Sequence, residues 1–344
     1  MNLSIRLVFI GTFCLASAAI AQPNSDQLID ALQAADIKAV ELALKRGASP
    51  VTPIGRTSAP AYPRSPLQWL LNQISIDESP AVVDAKKIRV ARLLIARGAK
   101  VEPNDDAMYF AVAEGHIEVA ALMLDAKQDI NRRIGGYLPT ELAAMRGHQD
   151  LYRRLIARGG KDLSQPELTQ LSLMQGVNKL DVDLVAKAIA AGADVNALDP
   201  SGQTALTTIL IVPVLWQERE QTTRNLEFLG TLLNKFKANP AIPSGGDQRN
   251  YPIIQWVEMN SYVKDQFDLS AQVVTALIKL GADVNVVDTL NQTALHKAAQ
   301  KGNFPAATAL AEAGINHKIK DYRGRTALDL ASDTAMRTFL RKLP

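Results

Sequence analysis

Cysteine is all but missing from this 344-residue chain, which carries a single copy, Cys14. That copy lies in an N-terminal stretch, MNLSIRLVFIGTFCLASAAIAQ. The stretch has a short leading region with Arg6, an apolar run from Leu7 to Ala18, and small residues at Ala19 and Ala21. This layout predicts an export signal over residues 1–21, cut after Ala21. Phe13, directly before Cys14, argues against lipid attachment there. About 323 residues would remain after cleavage, none of them cysteine. Disulfides, a thiolate nucleophile and thiolate metal ligands are thereby excluded from the mature chain. Long apolar runs are missing too. The Leu7–Ala18 run is short for a membrane span, and no later stretch is long and apolar enough to be one. A short signal followed by a cysteine-free chain predicts a bacterial exported protein, with the periplasm as its compartment.

Charge of one sign is also lacking. The formal net charge is +3, or +2 without Arg6, and no run of five Lys or Arg occurs. A nucleic-acid partner is not expected on this balance. The sequence holds no Gly-x-Ser-x-Gly elbow, no Walker loop and no Gly-x-Gly-x-x-Gly. Its four histidines, His116, His148, His296 and His317, show no i, i+4 or short-loop metal spacing. Acidic residues scatter over turns and helix surfaces, so no carboxylate pair for acid–base work stands out. The expectation is a non-enzyme with no cofactor and no metal.

What the sequence does contain is repetition. GADVNALDPSGQTAL runs from Gly192 to Leu206, and GADVNVVDTLNQTAL from Gly281 to Leu295. Aligned on the Gly of GADVN, equivalent positions are Gly47, Gly98, Lys127, Gly159, Gly192, Lys237, Gly281 and Gly314. Their spacings are 51, 29, 32, 33, 45, 44 and 33 residues. Three fall at 32 or 33, and the long ones read as that period with insertions. The clearest copy is TALHKAAQKGNFPAATALAEAGINHKIKD, Thr293 to Asp321. Thr293 can cap a helix whose apolar face is Ala294, Leu295, Ala298 and Ala299. Gly302-Asn303 ends that helix, and a second runs from about Pro305 to Gly314. Between copies stands Asp-x-x-Gly or Asp-x-x-Asn: Asp199 to Gly202, Asp288 to Asn291, Asp321 to Gly324. Asp at a turn's first position and Gly or Asn at a positive-φ position favour a tight turn.

This spelling resembles the ankyrin repeat, whose unit is two antiparallel helices and a protruding β-turn finger. The resemblance implies an all-α solenoid of stacked helix–turn–helix units over residues 22–344: about eight units and a truncated C-terminal one. It also implies structural duties for His116, His148 and His296, bonding backbone or cap hydroxyls. SQPE, Ser164 to Glu167, reads as a capping box. Its helix is followed by GVNKLD, a longer link than the standard one. Insertions fall near residues 52–65, 72–87, 211–225, 239–252 and 257–272. Those at 52–65 and 239–252, rich in Pro, Gly and Ser, are expected to be irregular finger loops.

In the repeat, the residue after the His of the TPLH-like motif faces a concave groove. By alignment this position holds Trp69, Phe110, Leu142, Thr208, Gln255, Lys297 and Leu330. The first three are large and apolar, which suggests a partner site. Candidate anchors are Trp69, Phe110 and Leu142 with Tyr62 and Tyr251. Arg56, Arg64 and Arg249 are candidate finger-tip contacts. Trp256 aligns with a small Ala and is assigned to the core. The resemblance implies a monomeric scaffold that binds another protein through groove and fingers. Two jobs fit: an inhibitor or immunity factor against a toxic secreted enzyme such as a lipase, or an assembly factor for a periplasmic enzyme.

Overall fold

The computed structural model describes residues 25–52, 65–70, 85–100, 107–125, 129–210, 219–245, 249–260 and 267–344. The predicted signal at 1–21 lies outside these residues. So do most of the 52–65 and 72–87 insertions and parts of those at 211–225, 239–252 and 257–272. The described secondary structure is helical throughout. Two isolated antiparallel bridges, Ile134 to Tyr137 and Ser244 to Asn250, are the exceptions.

By packing, the chain divides into two units with the boundary at residues 168–169. The first unit holds α1 (Ser25–Gln33), α2 (Ile37–Lys45), α3 (Ala85–Ala96), α4 (Ala107–Ala113), α5 (Ile117–Asp125), α6 (Pro139–Arg146) and α7 (Gln149–Ala157). Residues 66–70 form a further helical turn, capped by the Ser65 hydroxyl, which accepts from the Gln68 N–H at 3.2 Å. Within this unit α1 packs on α2, α4 on α5 and α6 on α7, as hairpins. Hairpins then stack like on like, α4 on α6 in one layer and α2 on α3 and α3 on α5 in the other. Leu28, Leu32, Val40, Leu94, Met108, Met123 and Leu155 fill the space between layers.

Helix α8 (Gln165–Lys179) crosses the boundary. The second unit continues with α9 (Val182–Ala190), α10 (Ala205–Leu210), α11 (Arg219–Asn234), α12 (Pro252–Asn260), α13 (Phe267–Lys279), α14 (Ala294–Lys301), α15 (Phe304–Glu312), α16 (Ala327–Leu330) and α17 (Thr334–Arg341). The order repeats: α10, α12, α14 and α16 pack in sequence, and α13 packs on α15. This is the all-α repeat architecture that the resemblance implies. Its first layer is built for close approach, since Ala294, Ala298 and Ala299 are fully buried. A methyl side chain lets neighbouring backbones come near with little rotamer entropy lost. Trp256 on α12 is fully buried, with its indole N–H donating to the Ser270 carbonyl at 3.2 Å, as its core assignment requires.

Helix ends follow the residues that spell them. Thr293 caps α14, and Gly302 closes it at φ 72°. The second helix begins one residue before Pro305, at Phe304, because the Asn303 carboxamide serves as its cap, accepting from the Ala306 N–H at 3.1 Å. Ser164 and Glu167 form the carboxylate arm of the expected box, with the Ser164 N–H and hydroxyl donating to the Glu167 carboxylate at 2.8 and 2.7 Å.

Three details depart from expectation. GVNKLD is largely helix, not link: α8 runs through to Lys179, and the chain reverses only at Leu180, φ 56°. Gly176 there serves close packing, since a Cβ would stand 2.7 Å from Val185 Cγ2 and 2.9 Å from Val185 N. Residues 219–225 and 267–272, read as insertion, are the first turns of α11 and α13. And within the 239–252 segment Ser244 and Asn250 form an antiparallel bridge, exchanging two main-chain bonds at 2.9 and 3.1 Å.

Candidate partner-binding surface

The fingers are held by one bond pattern used three times. The Asp199 Oδ1 accepts from the Ser201 N–H (2.8 Å), the Ser201 hydroxyl (2.7 Å) and the Gln203 N–H (2.9 Å). Asp288 Oδ1 accepts from Leu290 and Gln292, both at 2.8 Å. Asp321 Oδ1 accepts from Arg323 and Arg325, both at 2.9 Å. Each turn then needs a residue at positive φ, supplied by Gly202 (80°), Asn291 (57°) and Gly324 (77°). Burial pushes the Asp321 carboxyl up. The Arg325 N–H and guanidinium and the Arg323 N–H outweigh it and bring it down to about 2. The Asp321 carboxylate is therefore ionised across the working pH range.

A second device ties one copy to the next. The Asn131 carboxamide oxygen accepts from the Lys161 N–H at 2.9 Å, Asn196 from Asn239 at 2.7 Å, and Asn285 from Asn316 at 2.8 Å. Each of these asparagines is itself oriented by an aspartate two residues earlier, Asp129, Asp194 and Asp283. This is the N of GADVN.

Two of the histidines, His296 and His148, have structural hydrogen-bond partners. His296 Nδ1 lies 2.9 Å from the Thr293 hydroxyl and accepts from the Thr293 N–H at 3.1 Å. Its Nε2 stands 3.2 Å from the Arg325 carbonyl in the next copy. Burial holds this imidazole below its ordinary pKa. His148 Nε2 stands 2.9 Å from the Ala113 carbonyl. Among the described residues no group of three or more His, Cys, Asp or Glu is placed to hold a metal. No described helix is long and apolar enough to cross a membrane.

The groove positions do not share one environment. Trp69 is half-buried on the 66–70 turn. Phe110 stands on α4. Leu142 is only 2 % exposed, so it belongs to the core of its own unit and is withdrawn from the surface set. Alignment fixes which way a residue points, but not what the neighbouring hairpin lays over it. Thr208, Gln255 and Leu330 are half-buried. Lys297 is only 7 % exposed. Its ammonium pairs with Asp288 Oδ2 at 3.0 Å and Glu258 Oε1 at 3.3 Å. A buried ammonium is tolerated only when so paired. Arg56, Tyr62 and Arg64 lie outside the described residues. In the second unit, Arg249 is exposed at φ 48°, and Tyr251 is half-buried just before α12. The structure thus brings Trp69 and Phe110 into one unit and Arg249 and Tyr251 into the other.

Sequence reasoning overlooked the outermost finger residues. Leu198, Leu290 and Tyr322 are large, apolar and 45, 44 and 56 % exposed. The signal was available: each lies next to or within an Asp-x-x-Gly or Asp-x-x-Asn turn, whose tip points outward by construction.

Residues 266–343 match the family model of ankyrin repeats, in three copies. Among curated proteins the chain is similar to a putative palmitoyltransferase ZDHHC13 of Danio rerio, 27 % identical over 51 % of this chain and 30 % of that one. Inversin of Gallus gallus is 47 % identical over 17 % of this chain and 5 % of its own length. A putative ankyrin repeat protein, R664, of Acanthamoeba polyphaga mimivirus is 30 % identical over 25 % of this chain and 52 % of its own. The chain therefore spans about half or less of each of these relatives. Among solved structures, the ankyrin repeat domain of Bcl-3 aligns with 70 % of this chain and 98 % of its own, at 21 % identity and a TM-score of 0.41.

Proposed function

From a chain that carries ankyrin repeats, we propose a non-catalytic scaffold of the bacterial cell envelope that holds a protein partner on its groove and finger loops. The observation that carries this reading is the triplicated finger. Each turn is fixed by an aspartate accepting two or three bonds and tied to its neighbour by main-chain or asparagine bonds. A surface so fixed loses little freedom on binding, which is where a preorganised platform gains affinity. Trp69 and Phe110 are the proposed anchors in the first unit, Arg249 and Tyr251 in the second. Export rests on the N-terminal signal pattern, with cleavage between Ala21 and Gln22.

The test is affinity capture from envelope extract, with the chain and with Trp69→Ala, Phe110→Ala and Arg249→Ala variants. The reading expects a specific protein that the chain recovers and at least one variant loses. Equal recovery by every variant rejects these anchors. N-terminal sequencing of the chain expressed in a Gram-negative host checks the signal, and a start at Met1 in the processed fraction rejects it.

A further inference from the structure

The last finger is unlike the others in charge. Between His317 and Arg325 stand Lys318, Lys320, Arg323 and Arg325, against one carboxylate, Asp321. That nine-residue stretch carries a net +3, as much as the entire chain. Asp321 is taken up by Arg325, whose Nη2 lies 2.8 Å from its Oδ2. The other nearby carboxylates are engaged as well. Asp288 faces Lys297 at 3.0 Å, and Asp329 accepts from the Thr326 N–H and hydroxyl, both at 2.8 Å. Lys318, Lys320 and Arg323 are exposed and form no ion pair among the described residues.

Beside these cations is an apolar tip. Tyr322 is 56 % exposed and Leu290, on the preceding finger, 44 %. The two are locked side by side, because the Tyr322 N–H donates to the Leu290 carbonyl at 3.0 Å. The Asn291 carboxamide donates to the Lys320 carbonyl, a second tie between the same fingers. The Arg323 guanidinium lies 5.1 Å from the Tyr322 ring centroid, which steadies both side chains.

We propose that this double finger docks an acidic segment of a partner protein, with carboxylates on Lys318, Lys320 and Arg323 and an apolar side chain between Tyr322 and Leu290. This rests on the scaffold reading above and names the chemistry of its partner. Charge complementarity favours an acidic occupant. The exposed tyrosine–leucine pair favours a peptide over a phosphate chain, which offers no aliphatic side chain to cover it. The near-balanced charge of the rest of the chain also gives a polyanion no extended track.

The test is fluorescence anisotropy of the full chain with a labelled peptide alternating glutamate and leucine, and with its lysine-for-glutamate twin. A single-stranded oligonucleotide and phosphatidylglycerol vesicles are run beside them. The acidic peptide should bind about tenfold tighter than its basic twin. The K318E/K320E/R323E variant should abolish that preference. Tyr322→Ala should weaken binding by about fivefold while leaving its salt dependence intact. The K187E/K237E/K279E variant, an equal charge change elsewhere in the same unit, should bind as the parent does. The proposal is overturned by equal binding of the two peptides, by equal loss in the control variant, or by tighter binding of oligonucleotide or vesicles. If K318E/K320E/R323E still captures an envelope partner that Trp69→Ala loses, the finger assignment falls and the scaffold reading stands. Preference for the acidic peptide with no envelope partner captured leaves the finger and rejects the scaffold's assigned compartment.

Discussion

Asp288 performs two tasks with its two oxygens, and two substitutions separate them. Oδ1 accepts the Leu290 and Gln292 N–H groups at 2.8 Å, and Oδ2 faces the buried Lys297 ammonium at 3.0 Å. Asp288→Asn keeps an acceptor for the turn and removes the charge. Breaking a buried pair by deleting one partner costs about 3–5 kcal/mol. Lys297 retains Glu258 at 3.3 Å, a half-exposed carboxylate, so about 2 kcal/mol is expected here. Asp288→Ala also strands two main-chain donors, adding about 1–2 kcal/mol at the usual net worth of a hydrogen bond. The readout is urea unfolding followed by emission of Trp256, buried on the same helix as Glu258, with Trp69 and Trp216 replaced by Phe. At a slope near 2 kcal/mol per molar urea, the Asn variant should lower the midpoint by about 1 M and the Ala variant by nearly 2 M. An Asn variant within experimental error of the parent shows that the Lys297 pair adds nothing. An Ala variant no worse than Asn shows that the turn bonds add nothing.

Three other outcomes follow from the geometry. His296 is held below its ordinary pKa of 6.5 by burial, so the unfolded chain takes up the proton first. Stability should be flat above pH 6.5 and fall as the pH drops below it; His296→Gln should be less stable at neutral pH, with a shallower acid slope in pH-dependent urea titrations. Gly176→Ala places a methyl 2.7 Å from Val185 Cγ2. Overpacking should outweigh the helix-propensity gain and cost about 1–2 kcal/mol, and the companion change Val185→Ala should relieve only the side-chain share of that penalty in a double-mutant cycle, the contact with the Val185 main-chain N at 2.9 Å remaining. Asn285→Ala should lose about 1 kcal/mol by removing the bond to the Asn316 N–H, whereas Asn285→Asp, which keeps the acceptor oxygen, should recover most of it in thermal melts.

Much of the fold was written locally. The Asp-x-x-Gly turns, the Thr293 cap, the Gly302 stop and the Ser164–Glu167 box are decided within four or five residues, so their spelling was sufficient. Trp256 was legible because it replaced an alanine the repeat reserves for close packing. Gly176 was not. Gly-x-Asn at 176–178 looks much like Gly302-Asn303, but there a bare Cα is needed for Val185 and not for a positive φ. The surface was legible only in part, because exposure depends on the neighbour. Leu142 and Lys297 occupy the groove register, yet one is covered by packing and the other by carboxylates from residues 288 and 258. The asparagine bonds left no mark on their donor side, since a main-chain N–H has no letter of its own.

Joints of this kind bear on how such a chain changes over time. A joint that grips only the backbone is indifferent to what side chain arrives, and Lys161, Asn239 and Asn316 are received alike. It is equally indifferent to how much chain was spooled out before the meeting point: 30, 43 and 31 residues separate the partners. Letters can drift and loops can swell between two joints without either being undone, and a copy excised at matching joints lets the severed ends find one another again.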